Sequence, residues 1–419
     1  MLQIYCHNSG EINCASNDSG ALKLGDLKSD HALALAKQGH SGLDRSNLGW
    51  RCRGFFYGDT MSKTFDLGVL YSRSGTYRLL SEALFAGAMS AIERVNANHD
   101  LPIFFNPIVR DPAGELTNYA PMCAEILSSS SAKHVVGCVT SSSRKEVIPE
   151  LDRAQATLWY NVPYEGFETS ARVVYSHAAT NQNILPLLGW ATRHFGMSVY
   201  LVGSNYIWGW ETCRVMRTRL EVAGGAVLGE RYLPLGDTSV DSLIDEIERS
   251  RPKFILNSLV GASSYAFINA YAELGKRDSH FAPDNCPLLS CNLTEAELPV
   301  LGEAAEGLIS VGPSFCKTPT ANGEGSSLER TSYQSVLTLA EALAHGANGP
   351  FDSYLAQHGA LYGIDPATQH KSLDVHIAQV RSGAFKILHS WSDIAPDPYL
   401  TRPSRHPRFS DPMLKVVQA

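Results

Sequence analysis

Residues 61–75 read MSKTFDLGVLYSRSG, and the way the chain continues from this stretch decides the fold. Residues 65–71 form a short, mostly apolar run suited to a strand buried on both faces. Residues 77–98 follow, with Phe85, Met89, Ile92 and Val95 recurring on one helical face. Further strands are predicted at 103–109, 135–139 and 158–160, with helices near 118–127 and 144–154 between them. The alternation then restarts with helix 184–194, strand 198–202, helix 211–222, strand 226–233 and helix 240–249. Strand 254–257, helix 264–274 and strand 287–290 complete it. Two successive sets predict an α/β protein of two doubly wound lobes, each with a largely parallel sheet, and a ligand cleft between them. The C-terminal part reads as helices at 328–345 and 351–358, then strands at 373–379 and 384–391, as expected of a chain passing back between lobes.

The boundaries that follow are 64–178 for lobe 1 with 315–372 returning to it, 179–314 for lobe 2 with 373–395 returning, and a tail over 396–419. Residues 1–63 differ in character. They are rich in Gly, Ser, Asn and Asp, and only 31–38 could make a short helix, so they read as a disordered or non-native extension with Met61 as an alternative start. The opening MLQIYCHNSGEINCASNDSG has no basic start, apolar core or small-residue cleavage site, which makes a cytoplasmic location the expectation.

With 44% hydrophobic and 18% charged residues, 419 residues supply material for two ordinary soluble cores. A net charge of -7 argues against nucleic acid or an anionic membrane as direct partner. No apolar run is long enough to span a bilayer. The nine cysteines are odd in number and form no CxxC pair, which points to reduced thiols rather than a zinc site or a disulfide framework. Neither GxGxxG after a strand, GxxxxGK[ST], GxSxG nor HExxH occurs, and the fourteen histidines lack ligand spacing. Neither catalysis, nor a metal, nor a cofactor is therefore expected.

Open α/β sheets bind ligands at the carboxyl ends of their strands, and four segments fall there. GCVTSSSRK (137–145) runs from a strand into a helix expected to start at Ser142 or Ser143, and its hydroxyls and free N–H groups suit a carbonyl or carboxylate oxygen. LWYNVPYEGFE (158–168) puts Tyr160, Val162, Pro163, Tyr164 and Phe167 in and after a strand, enough surface for a pocket wall. In GSNYIWGWE (203–211), Trp208 and Trp210 sit two apart, so only one of them is expected to face the cleft. SLVGASS (258–264) enters a helix with hydroxyls but no charge, and Ala262 is its candidate wall residue. Hydroxyls and aromatics outnumber charges such as Arg144, Lys145, Glu165 and Glu211, so a small neutral molecule bearing one acceptor and one N–H donor is expected.

From about residue 65 to 399 the chain resembles the amide-binding regulators of bacterial aliphatic amidase operons. More distantly it resembles urea, short-chain amide and branched-chain amino acid binding proteins. The resemblance rests on DPAG (111–114), GCVTSSSRK, PYEGFE (163–168), NQN (181–183), GSNYIWGWE and PDPY (396–399). It implies a type I periplasmic-binding-protein fold and a cytoplasmic sensor that closes on a small neutral amide. Such a sensor restrains a transcription antiterminator partner until the amide binds, with homo-oligomerisation left open. By position, Ser141, Tyr160 and Tyr206 match residues that hydrogen-bond the amide. Val139 stands where these regulators have an aromatic, Val162 where they have Thr, and Trp208 where they have Tyr, which implies a larger or more apolar amide. The alternative is an extracytoplasmic substrate-binding protein of an ABC transporter for short-chain amides, urea or branched-chain amino acids.

Overall fold

The structure is a computed structural model describing residues 3–6, 12–15, 63–166, 168, 170–316 and 325–401. The chain divides into two units, Met1–Asp59 and Thr60–Ala419. In the first, β1 (Gln3–Cys6) pairs antiparallel with β2 (Ile12–Ala15), Gln3 opposite Ala15. The short helix expected at 31–38 lies outside the described residues.

The second unit holds both lobes. Lobe 1 opens with β3 (Lys63–Leu70), α1 (Arg78–Asn96), β4 (Ile103–Arg110), α2 (Tyr119–Ser129), β5 (His134–Gly137), α3 (Ser141–Ala154), β6 (Thr157–Tyr160) and β7 (Val173–Tyr175). Among the described residues its sheet is five-stranded and parallel throughout, in the order β4-β3-β5-β6-β7. Leu67, Val69 and Leu70 on β3 are buried because helices cover both faces of the sheet.

Lobe 2 repeats the plan with α4 (Ile184–His194), β8 (Ser198–Ser204), α5 (Ile207–Val222), β9 (Ala226–Leu233), α6 (Asp241–Ser250), β10 (Phe254–Ser258) and α7 (Gly261–Arg277). It continues through β11 (Leu288–Ser290), α8 (Leu298–Leu301) and β12 (Ile309–Gly312). Alternate residues of its strands feed two cores. Val199 and Leu201 pack on one face with Phe254 and Leu256, while Tyr200 and Val202 pack on the other with Ile255.

The returning segments divide as cleanly. Helices α9 (Ser327–Ala344) and α10 (Phe351–His358) place Leu328, Val336, Leu339, Phe351 and Leu355 in the lobe 1 core. Helix α9 lies so close to α1 that a Cβ on Gly87 would meet the Glu329 carbonyl. Strands β13 (Leu373–Arg381) and β14 (Ala384–Ile394) extend the lobe 2 sheet antiparallel beyond β12. The expectation of two doubly wound α/β lobes with parallel-dominated sheets is met, and the antiparallel edge is the addition.

The chain passes between lobes after β7, between β12 and α9, and before β13. The NQN segment, in the first of these passages, clasps the last of them and the end of β14. Asn181 Nδ2 donates to the Ala395 carbonyl at 2.9 Å, and the Asp397 N–H donates to Asn181 Oδ1 at 2.8 Å. Gln182 Nε2 donates to the carbonyls of Lys371 at 3.0 Å and Ile394 at 2.7 Å. Lobes joined at one such clasp can hinge as units.

Candidate functional site

The strand orders place the site. Each lobe carries the order 2-1-3-4-5 of a doubly wound sheet, counting strands from its own first. The chain therefore leaves strands one and three in opposite directions, which opens a crevice at their carboxyl ends. In lobe 1 that crevice lies beyond β3 and β5, and in lobe 2 beyond β8 and β10. One cavity has walls from both crevices. Tyr77, Leu80, Val139, Thr140, Ser141, Tyr160, Val162, Pro163 and Leu328 come from lobe 1, and Tyr206, Trp208, Val260 and Asn292 from lobe 2. The empty space between these walls, open mouth included, is about 430 Å³.

Local structure aims each wall. Beyond β5, Cys138 takes a left-handed φ of 64°, a conformation that costs a non-glycine residue roughly 1–2 kcal/mol. This turn carries Val139 to Ser141 to the cavity. Helix α3 starts at Ser141 with Thr140 as its cap, not at Ser142 or Ser143 as expected. The reason is a reciprocal capping box: the Ser143 N–H donates to Thr140 Oγ1 at 3.0 Å and the Thr140 N–H to Ser143 Oγ at 3.1 Å. Asn161 is buried and donates to the Tyr71 hydroxyl at 3.2 Å while accepting from Ser335 Oγ at 2.6 Å. These bonds anchor the loop that carries Val162 and Pro163.

Of the eight residues singled out from the sequence, Val139, Ser141, Tyr160, Val162, Pro163, Tyr206 and Trp208 line this cavity. Ala262 does not. It sits half-buried in the first turn of α7, and Val260, two residues earlier at the end of the β10 connection, supplies that wall instead. Tyr164 is buried away from the cavity, its hydroxyl donating to the Glu168 carbonyl at 2.6 Å, and Phe167 lies outside the described residues. Of the tryptophan pair, Trp208 is 5% exposed and faces the cavity, whereas Trp210 is 45% exposed and donates to Asn205 Oδ1.

Thr140 and Val260 lie in two of the four segments without having been singled out, and Tyr77, Leu80, Asn292 and Leu328 lie outside all four. Tyr77, Val260 and Asn292 follow β3, β10 and β11, so the strand-end rule that found the others reaches them as well. Leu80 and Leu328 come from helices, where only packing reveals them.

The polar groups of the site are few and specific. The phenols of Tyr77 and Tyr206 influence each other across the two lobes, and burial pushes both hydroxyls well above the ordinary tyrosine range, so they stay protonated. The lobes also touch where Gly261 of lobe 2 meets Thr76 of lobe 1, which leaves no room for a side chain at Gly261. The indole Nε1 of Trp208 is buried and finds no hydrogen-bond partner among the described residues.

Behind the lobe 1 wall lies a buried ionic network. Arg144, fully buried on α3, donates from Nη2 to Glu165 Oε1 at 2.8 Å and from Nε to Glu168 Oε1 at 2.8 Å. Lys145 reaches Glu168 Oε2 at 2.9 Å. Burial alone would raise the Glu168 carboxyl, but Arg144 and Lys145 outweigh it and hold the group below its usual range. The Arg144 guanidinium also lies 4.6 Å from the centroid of the Tyr160 ring and 5.0 Å from that of Tyr164. Glu165 Oε2 in turn accepts from Ser141 Oγ at 2.8 Å. Among the described residues, no group of three or more His, Cys, Asp or Glu could hold a metal ion. No helix there is long and apolar enough to cross a membrane.

Solved structures share this architecture. A solute-binding protein of an ABC transporter from Rhodopseudomonas palustris, in complex with p-hydroxybenzoic acid, is 18% identical with TM-score 0.67, covering 79% of this chain and 98% of that one. An amino acid ABC transporter substrate-binding protein from Pseudomonas fluorescens is 15% identical with TM-score 0.65, covering 80% and 97%. A branched-chain amino acid transporter substrate-binding protein from Streptococcus pneumoniae, in complex with isoleucine, is 15% identical with TM-score 0.63, covering 80% and 100%. At these identities the likeness is one of fold. Residues 65–322 match the periplasmic binding protein domain, and the chain belongs to that family.

Proposed function

We propose that this chain is a solute receptor whose lobes close on a small neutral molecule, and that the closed form is what a membrane transporter of the ABC class recognises. One observation carries this reading: a single, mostly apolar cavity takes its walls from the switch points of both lobes. A ligand that touches both walls favours the arrangement in which they meet, and its binding energy sets how far the open–closed balance moves. The relatives of known structure, transporter receptors for benzoates and for amino acids, support the transport role over a purely regulatory one.

Calorimetric titration tests the reading with aliphatic and aromatic amides, urea, branched-chain amino acids and hydroxybenzoates. Binding of one class at one site per chain, weakened by Tyr206→Ala without loss of fold, is the expected result. Unchanged affinity in that variant places the ligand elsewhere and refutes it.

A second reading keeps the cleft and changes the partner: a cytoplasmic amide sensor that releases an antiterminator when it closes. It is favoured by the six buried cysteines of the described residues, all free thiols, as suits a reducing compartment. Fractionation of cells expressing the native gene separates the two. Recovery outside the cytoplasmic membrane supports the receptor, and cytoplasmic recovery with an amide-sensitive protein partner supports the sensor.

A further inference from the structure

We propose that Glu165 sets the ligand preference of the cleft by fixing which way the Ser141 hydroxyl donates, and so selects uncharged amides over the matching carboxylates. This rests on the reading that the cleft is the ligand site. Ser141 Oγ donates to Glu165 Oε2 at 2.8 Å, and the other Glu165 oxygen is held by Arg144 Nη2 at 2.8 Å. Both charged side chains are fully buried, which leaves the carboxylate no solvent-facing alternative. A hydroxyl has one proton and two lone pairs. With its proton committed to Glu165, Ser141 meets the cavity as an acceptor only.

Trp208 stands on the lobe 2 wall of the same cavity. The indole N–H of Trp208 can only donate, and it is buried without a partner among the described residues. A ligand spanning the two lobes therefore satisfies the site when it offers an N–H or O–H to Ser141 and an oxygen to Trp208. A primary amide offers both. A carboxylate offers two acceptors and no donor, and brings its charge beside a hydroxyl already polarised by Glu165. The N-terminus of α3 would otherwise attract an anion through its dipole, but the Glu165 carboxylate at Ser141 already answers it. Arg144 does not substitute as an anchor, because it does not line the cavity and its Nε and Nη2 are held by Glu168 and Glu165 behind the wall, where Nη1 is left buried without a partner among the described residues. Glu165 itself does not line the cavity, so it acts through Ser141 as a positioning residue.

The test is titration of the full chain with isosteric pairs, benzamide against benzoate and isobutyramide against isobutyrate, at a pH where both acids are ionised. For a pair that binds, the amide is expected to bind at least about tenfold more tightly than its acid, the scale of one mismatched hydrogen bond. In Glu165→Gln the side-chain amide can donate to Ser141 and free the hydroxyl proton for the cavity, so the amide-to-acid ratio should fall by about tenfold. A merely structural role would lower both affinities and leave the ratio alone. Should Glu165→Gln not fold, Ser141→Ala keeps the Glu165–Arg144 pair and is expected to flatten the same ratio, while Ser141→Thr restores it. Acids that bind as well as their amides in the parent chain, or a ratio untouched in these variants, overturn the inference and leave the cleft reading in place. Absence of binding by every compound of the panel above refutes the cleft reading and takes this inference with it.

Discussion

Replacing Gly261 by alanine should weaken ligand binding by blocking closure while each lobe still folds. Gly261 opens α7 in lobe 2 with φ +59°, and a Cβ built there would lie 2.6 Å from Thr76 Cγ2 and closer still to the Thr76 carbonyl oxygen of lobe 1. Two costs can be separated. The left-handed conformation costs an alanine about 1–2 kcal/mol whether the cleft is open or shut, so it lowers fold stability alone. The conflict with Thr76 exists only where the lobes meet, and overpacking of this kind costs about 1–3 kcal/mol. That second cost falls on the closed state and should raise Kd by about 5- to 150-fold. Calorimetry with the tightest-binding compound of the panel reads the affinity, and urea unfolding of the same preparations reads the stability. Small-angle scattering with and without that compound should show less compaction in the variant. An alanine variant that loses stability but keeps the parent affinity would refute the idea that this approach belongs to closure.

Three further outcomes are expected. Arg144→Met should destabilise the chain by about 3–5 kcal/mol in chemical unfolding, because Glu165 and Glu168 would lose the guanidinium that balances them in the interior; a loss below about 1 kcal/mol, the scale of a surface ion pair, would contradict this. Gly87→Ala should cost about 1–3 kcal/mol, since its Cβ would lie 2.8 Å from the Glu329 carbonyl carbon and force α1 and α9 apart, and an unchanged thermal midpoint would show that the contact relaxes freely. Stability should also fall as pH drops below 6.5. Burial pushes His134 and His177 down to about 3 and His370 to about 4. The unfolded chain therefore takes up protons near 6.5 that the folded chain refuses, and each imidazole removes up to about 1.4 kcal/mol per pH unit through that window. Glu297, raised to about 7 by burial, runs the opposite way, with one proton against three. Equal urea midpoints at pH 7.5 and pH 5.5 would count against the buried neutral histidines.

The family's architecture was legible because its signal is local. The apolar run at the first strand of lobe 1, the helical stripe of Phe85, Met89, Ile92 and Val95, and their repetition in lobe 2 are periodicities that neighbouring residues impose on one another. Most of the cavity wall was legible for a related reason: strand carboxyl ends can be located without knowing which strands pair. What stayed hidden was short or distant. Strands β7 and β12 span three and four residues, too few to show a period. The antiparallel edge made by β13 and β14 depends on which face of lobe 2 the returning chain meets. Glu165 looked like a loop charge, yet it lies buried on Arg144, 21 residues earlier, and on Ser141, 24 residues earlier. Tyr77 finds Tyr206 only across the cleft. Sequence by itself determined that two α/β lobes would form and roughly which strand ends would wall the cavity between them. Only the tertiary structure decided which hydroxyl accepts, which indole donates and where the lobes touch, because those depend on charges and orphaned donors brought together by folding from positions that share no local pattern.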